Sequence, residues 1–157
     1  MTALSVIEHN AVTAASPCEV LTFRLGTEEY GIDIQAVQEI RRYEPPTQIA
    51  NSSKLLLGII DLRGVIVPIV DLRRRLMLPD ENGINTVTVI VHVQGRTVGL
   101  VVDAVSEVMV LDVATIQPRP SMGSHAYADF IVGFARPDAA SGQLLQLVDL
   151  ASLLGDL

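Results

Sequence analysis

The residues of this chain that could do chemistry are few and dispersed. Seven carboxylates recur along it: Asp33, Glu39, Asp61, Asp71, Asp103, Glu107 and Asp149. Two carboxylates opposed across a cleft could hydrolyse a glycoside, one as acid and the other as nucleophile or base. These seven instead fall at the ends of strand-like runs and in turns, where helix caps and ion pairs account for them. The histidines, His9, His92 and His125, stand far apart, and no His-x-x-x-His or Cys-x-x-Cys spacing sets up metal ligands. His92 sits inside a strand pattern, where a lone imidazole is structural, and His125 lies in a solvated Ser/Gly-rich stretch. Cys18 has no base near it in sequence, and a thiol without one is a poor nucleophile. A single cysteine forms no internal disulfide, which favours a reducing compartment. There is no Gly-rich phosphate loop and no nucleophile elbow. The expectation is a protein that is not an enzyme and holds no metal and no cofactor.

One polar residue is less easily dismissed. Arg63 lies in a tight Leu62-Arg63-Gly64 turn between two very apolar runs, and Glu39 ends a predicted helical turn in the same half of the chain. Arg63 either solvates a hairpin tip or is a surface charge held by a carboxylate and ready for a partner. If the helical turn packs beside the hairpin, Glu39 and Arg63 form an ion pair.

The elements that must position these residues follow from composition and pattern. A chain of 157 residues makes one ordinary domain or two very small ones packed together. Hydrophobic residues make up 49%, yet no apolar run approaches the ~18–20 residues that span a bilayer, so direct membrane insertion is not expected. The surplus apolar surface must enter a core or partner surfaces. With 4% aromatics and no Trp, that core is Val, Ile and Leu, which favours strands. A net charge of −7 without a clustered basic face argues against a nucleic-acid partner. The short run Arg73-Arg74-Arg75 reads as a solvated helix face. Residues 1–17 carry no Lys or Arg and no sustained apolar stretch, so they are expected to be a flexible tail and not a signal peptide.

The chain also echoes itself. Tyr30-Gly-Ile-Asp-Ile-Gln-Ala-Val-Gln-Glu-Ile40 aligns with Val98-Gly-Leu-Val-Val-Asp-Ala-Val-Ser-Glu-Val108, matching Gly31 to Gly99, Ala36 to Ala104, Val37 to Val105 and Glu39 to Glu107. An alternating strand precedes each copy, Val20–Leu25 and Thr86–Val93, and turns at Gly26 and Gly95 complete a hairpin in each. A second echo runs strand, turn, strand, then Val-Asp-Leu: residues 57–72 and 131–150. Asp71 and Asp149 should N-cap short helices over Leu72–Met77 and Leu150–Leu154. Pro68 removes a strand donor and belongs at an edge or bulge. The pattern predicts an all-β fold with short helices: a first barrel over 18–85 and a second over 86–157, packed on each other, with a terminal strand able to cross between them. Gly31 should then superpose on Gly99 and Val37 on Val105.

The stretches Glu29–Ile34, Val37–Arg41, Ile49–Asn51, Gly58, Leu62–Arg73 and Val98–Asp103 together resemble the CheW family of chemotaxis coupling proteins, and the resemblance runs from about Cys18 to Leu154. Asp61 stands where many members have Asn before Leu-Arg-Gly. The resemblance implies a CheW-like domain over 18–157 made of two five-stranded SH3-like β-barrels. It implies a non-catalytic adaptor of signal transduction, cytoplasmic and recruited to membrane receptor arrays. Its partners would be the cytoplasmic tip of methyl-accepting chemoreceptors and the regulatory domain of the CheA histidine kinase. A stand-alone adaptor is expected over a piece of the kinase or of the receiver-bearing CheV relatives. The receptor groove is expected at the junction between barrels, with Val37, Glu39, Arg63 and Val108. The kinase surface is expected on the first barrel around Tyr43, Pro45 and Ile49, where a Pro-rich turn ends a strand. The repeat adds that Ile40 and Val108, like Val37 and Val105, are equivalent positions near the boundary of the barrels. Two other readings stay open: an adaptor of a non-chemotactic array, and a small-ligand-binding β-barrel, which would need an enclosed pocket with converging polar groups.

Overall fold

The computed structural model describes residues 17–50, 55–75, 86–120, 130–136 and 143–155. The expected tail therefore lies outside the described residues, apart from Pro17, which opens the first strand. The strands are β1 (Pro17–Leu25), β2 (Glu28–Asp33), β3 (Val37–Arg42), β4 (Leu56–Leu62), β5 (Val65–Asp71), β6 (Val87–Val93), β7 (Arg96–Val102), β8 (Ala104–Asp112), β9 (Gln117–Pro118), β10 (Ile131–Ala135) and β11 (Leu145–Val148). Helix α1 (Leu72–Arg75) follows β5 and helix α2 (Leu150–Leu154) ends the described chain. Two 3-10 turns, Ile34–Ala36 and Val113–Thr115, follow β2 and β8, and each is capped by the aspartate before it, Asp33 and Asp112. Asp71 and Asp149 accept hydrogen bonds from the amides of Arg73 and Ala151, as expected of N-caps. The predicted extension of α1 to Met77 lies outside the described residues.

The strands form an all-β fold of two sheets, ordered β8-β1-β2-β11-β10-β9 and β3-β6-β7-β5-β4. Each closes on itself. The chain of β8 turns through Val113–Thr115 and returns as β9 against β10, so six segments make five barrel strands. The chain of β3 runs on to Thr47, which exchanges two 2.9 Å hydrogen bonds with Ile59 of β4. Closure leaves each small barrel few free edges for stray pairing.

The sheets do not follow the two halves of the sequence. The hairpin β1–β2 joins the later strands β8 to β11, and the hairpin β6–β7 joins the earlier strands β3 to β5. The exchange is reciprocal, in matching register. Leu21 lies opposite Val108 and Val89 opposite Ile40. Leu147 pairs in parallel with Gly31, and Ile69 in parallel with Gly99. The boundary expected at 85/86 thus separates the two repeats but not the two sheets, and it is two hairpins, one from each repeat, that cross over. Gly31 and Gly99 occupy equivalent places inside their barrels. A Cβ at Gly99 would meet Ile69 Cδ1 at 2.5 Å, and one at Gly31 would meet Leu147 Cδ2 at 3.3 Å. At Gly99 there is room only for hydrogen, and at Gly31 a methyl group fits only if the Leu147 side chain gives way slightly.

Alternation along the strands explains where the core lies. Val20 faces the interior of the first sheet's barrel with Leu145 and Leu147, and Ile90 and Val101 face that of the second with Val67 and Ile69. The opposite faces, Leu21, Phe23, Leu25, Tyr30 and Ile32 on one side and Val89, Val91, Val98, Leu100 and Val102 on the other, meet in a single larger cluster between the barrels. Each such buried side chain contributes about 1.5–3 kcal/mol, so parting the barrels would cost much of the burial that stabilises the fold. Pro68 lies one residue before the β5–β7 ladder begins at Ile69, where β5 has β4 alone as neighbour and the missing donor costs nothing.

Two expectations need correction. Glu39 does not end a helical turn: the turn stops at Ala36, and β-branched Val37 and Ile40 carry the chain on as β3. Arg73 is not on a solvated face but 2% exposed, because Asp71 turns back over it from the helix cap.

Candidate functional site

The turn joining β4 to β5 has positive φ at both central residues, 51° at Arg63 and 88° at Gly64. That geometry matches the right-handed twist of the two strands, but for an arginine it costs roughly 1–2 kcal/mol. Asp61 steadies the turn, its Oδ1 accepting from the Gly64 amide at 2.8 Å, a role an asparagine carbonyl fills equally well. The turn throws Arg63 across to β3. Its Nη2 donates to Glu39 Oε1 at 2.5 Å, while Arg41 Nη1 lies 3.6 Å from Glu39 Oε2. β3 and β4 are the two terminal strands of their sheet, so this ion pair spans the lip that Thr47 and Ile59 close further along. The Arg63 hydrogen bond lowers the pKa of Glu39, and the same bond raises that of Arg63. Both stay charged at neutral pH.

Apolar exposure is concentrated around this lip and on β8. Val65 is 55% exposed, Ile66 60%, Val108 51% and Val110 65%, and Ile40 also faces solvent. Exposed aliphatic side chains grouped in this way mark contact surfaces. The strands that follow the two passages between barrels, β3 and β8, carry three of the five. An open groove of about 550 Å³ lies between them, lined by Ile40, Arg41, Arg42, Thr86, Val87, Ala104 and Val105.

Of the expected receptor residues, Glu39 and Arg63 are in contact, and Val37 shares the strand of Glu39. Val37 is half-buried, lies opposite Val91 and packs on the cluster between the barrels. Val108 is on β8 in the other sheet, at the position equivalent to Ile40. The expected kinase residues lie along the continuation of β3. The Tyr43 amide donates to Thr86 O at 3.3 Å, and its ring packs half-buried on the Leu62–Val67 cluster. Pro45 and Ile49 are exposed, on either side of Thr47.

The sequence reading passed over Val65, Ile66 and Val110. A signal was present. In Val65-Ile66-Val67 consecutive residues are apolar, and a strand can turn only alternate ones inward; Val67 takes the interior and Ile66 the solvent.

Most of the other reactive groups among the described residues have structural roles or are unreactive; His9 and His125 lie outside the described residues. Burial, and then the charge of Asp33, push the Cys18 thiol up to about 11, so at neutral pH it is protonated and inert. His92 is exposed, with Nδ1 2.9 Å from Thr97 Oγ1. Among the described residues no group of three His, Cys, Asp or Glu side chains could hold a metal ion, and no helix is long and apolar enough to cross a membrane. Of the carboxylates, Asp33, Asp71 and Asp149 cap turns or helices, Asp61 holds the hairpin, and Glu39 and Asp103 are in ion pairs.

Residues 19–157 match the family model described as a CheW-like domain. The chemotaxis protein CheW of Klebsiella aerogenes is 42% identical over 140 residues, covering 87% of this chain and 81% of the relative. That of Rhizobium meliloti is 39% identical over 137 residues, covering 86% of each. Among solved structures, the scaffolding protein TtCheW from Thermoanaerobacter tengcongensis superposes with a TM-score of 0.77 at 31% identity, over 85% of this chain and 90% of that one.

Proposed function

The chain belongs to the CheW family, and on that footing we propose that it is a non-catalytic adaptor that couples the cytoplasmic tips of methyl-accepting chemoreceptors to the regulatory domain of the CheA histidine kinase. It works in the cytoplasm and reaches the membrane through the receptors it binds. The observation that carries this reading is the course of β3. One continuous stretch bears Val37 and Glu39, the partner of Arg63, in its first part and Tyr43, Pro45 and Ile49 in its second, tied to the barrel by β6 and, through Thr47, by β4. A coupler needs two contact surfaces in a fixed relation, and a strand and its continuation, both fastened to one barrel, supply it.

The receptor surface comprises Val37, Glu39, Arg63 and Val108. The twofold relation of the repeats supports putting Val37 with Val108. Their equivalents, Val105 and Ile40, line one groove between the barrels, and the same relation carries that groove onto Val37 and Val108. The receptor signalling tip is a helical hairpin, and an amphipathic helix lays its apolar face in such a groove. Arg63, preset by its left-handed backbone and by Glu39, offers a charge whose orientation is already fixed. The kinase surface is the exposed edge around Tyr43, Pro45 and Ile49, which fits a barrel of the same kind on the partner.

Amide chemical-shift mapping with each partner alone tests the reading. Receptor tips should perturb β3 up to Glu39, the Arg63 turn and Val108, and the kinase regulatory domain should perturb residues 43–49. Arg63→Ala should erase most of the receptor footprint and leave the melting temperature and the kinase footprint unchanged, since an exposed ion pair adds little stability. Two fully overlapping footprints would contradict the reading, because a coupler holds both partners at once.

A further inference from the structure

The chain passes between the barrels at two places, and they are built differently. One passage is the 3-10 turn Ile34–Ala36 between β2 and β3. At the other, Asp103 is the single residue between β7 and β8, and both barrels grip it. From the first sheet, the Gly26 amide donates to Asp103 Oδ2 at 2.7 Å, and Arg24 O accepts the Asp103 amide at 3.0 Å. From the second, Arg73 Nη1 lies 3.3 Å from Asp103 Oδ1, an oxygen that is buried and makes no hydrogen bond. Arg73 is itself fixed on Asp71, its Nε donating to Oδ1 and its Nη2 to Oδ2, both at 3.1 Å. The planar fork leaves Nη1 aimed at the passage. At the passage related by the repeat, the equivalent of Asp103 is Gln35, uncharged and exposed. The same helix α1 makes a second tie across the barrels, with the Arg75 guanidinium 5.4 Å over the Phe130 ring.

Burying the Asp71 carboxylate and the Arg73 guanidinium, with Asp103 partly buried beside them, seldom gains net stability over apolar packing, so the arrangement calls for another role, and fixing geometry is one such role. The residues immediately after Asp103, Ala104 and Val105, form one wall of the groove between the barrels; Ile40, Arg41 and Arg42 form the other. We propose that Arg73 is a positioning residue for coupling: by clamping Asp103 it sets one barrel against the other, and so fixes the groove and the place of Val108 relative to the receptor and kinase residues that the other barrel carries. This rests on the adaptor reading above.

The variant to use is Asp103→Asn in the full chain. It keeps the side-chain volume and an acceptor for the Gly26 amide, and removes the charge that Arg73 holds. Removing Arg73 would strand Asp71 in the interior and risk the fold. Two readouts decide. Amide residual dipolar couplings of the two barrels should fit one alignment tensor in the unaltered protein and require two in Asp103→Asn. Receptor-dependent kinase activation should fall about fivefold, with binding of the isolated regulatory domain unchanged. A single shared tensor with undiminished activation would overturn the proposal. So would parallel loss of cooperative melting and of kinase-domain binding, because Asp103 would then only support the fold. If the unaltered protein fails to activate the kinase at all, the adaptor reading is wrong, and the dipolar couplings still decide whether the clamp sets the barrels.

Discussion

Gly58→Ala should lower the melting temperature by about 6–12 °C, the largest stability effect of any single methyl addition near the proposed kinase surface. Gly58 sits at the bulge in β4, with φ of 157°, where the chain after β3 comes back to close the barrel. A Cβ there would stand 2.2 Å from Thr47 O and 2.8 Å from Thr47 C. Both are backbone atoms and cannot swing aside. The lip must open, which breaks the two Thr47–Ile59 hydrogen bonds, each contributing about 0.5–1.5 kcal/mol, and the new side chain also strains its own backbone. The sum is about 3 kcal/mol, and a chain of this length loses roughly 2–4 °C per kcal/mol. Thr47 lies between Pro45 and Ile49, so kinase binding should weaken along with the melt, while the β8 side of the receptor surface is left standing. Calorimetry of the two proteins checks the first part. An unchanged melting temperature would mean that the lip is not closed as described.

Charges placed on the two contact surfaces should separate the two binding activities. Val108→Asp should weaken receptor binding about 100-fold and leave the kinase regulatory domain bound as before, and Ile49→Asp should do the reverse. The magnitude follows from desolvating an unpaired carboxylate in an apolar contact. The fold tolerates both changes, since Val108 is 51% and Ile49 42% exposed. Val37, the other apolar residue of the receptor set, is a poorer choice. It packs on the cluster between the barrels, and a charge there would disturb the fold and the surface together. Titration calorimetry with each partner reads both effects. Equal losses for both partners from either variant would show that the surfaces are not divided along β3.

Much of this was legible in the sequence, for local reasons. Alternation in Val20–Leu25 and Val87–Val93 identifies strands, and the Gly26 and Gly95 turns pair each with its neighbour, because those contacts are short in sequence. Asp71 and Asp149 announce helix starts for the same reason. What alternation cannot say is which sheet a hairpin joins. Leu21 shows the same pattern whether it faces its own repeat or lies opposite Val108, so the reciprocal exchange of hairpins was invisible until the long-range ladders were seen. Arg73 was misread because its burial depends on Asp71 and Asp103 together, and Asp103 is distant in sequence. Glu39 was expected beside Arg63 and is found there, though on a strand and not a helical turn; an ion pair needs only that the two side chains reach. The exposed Val65, Ile66 and Val110 escaped notice because apolar residues in a strand are first assigned to a core, and only the count of inward places shows the excess.

The central claim is that one small protein holds receptor and kinase together in a productive relation. Co-sedimentation with receptor signalling tips, with and without the CheA kinase, tests it most directly, with kinase autophosphorylation read on the same samples. The account predicts that the protein sediments with the tips alone, that it carries the kinase down with them, and that phosphorylation rises when all three are present. Sedimentation with one partner at the expense of the other, or a three-component pellet without any rise in phosphorylation, would contradict it.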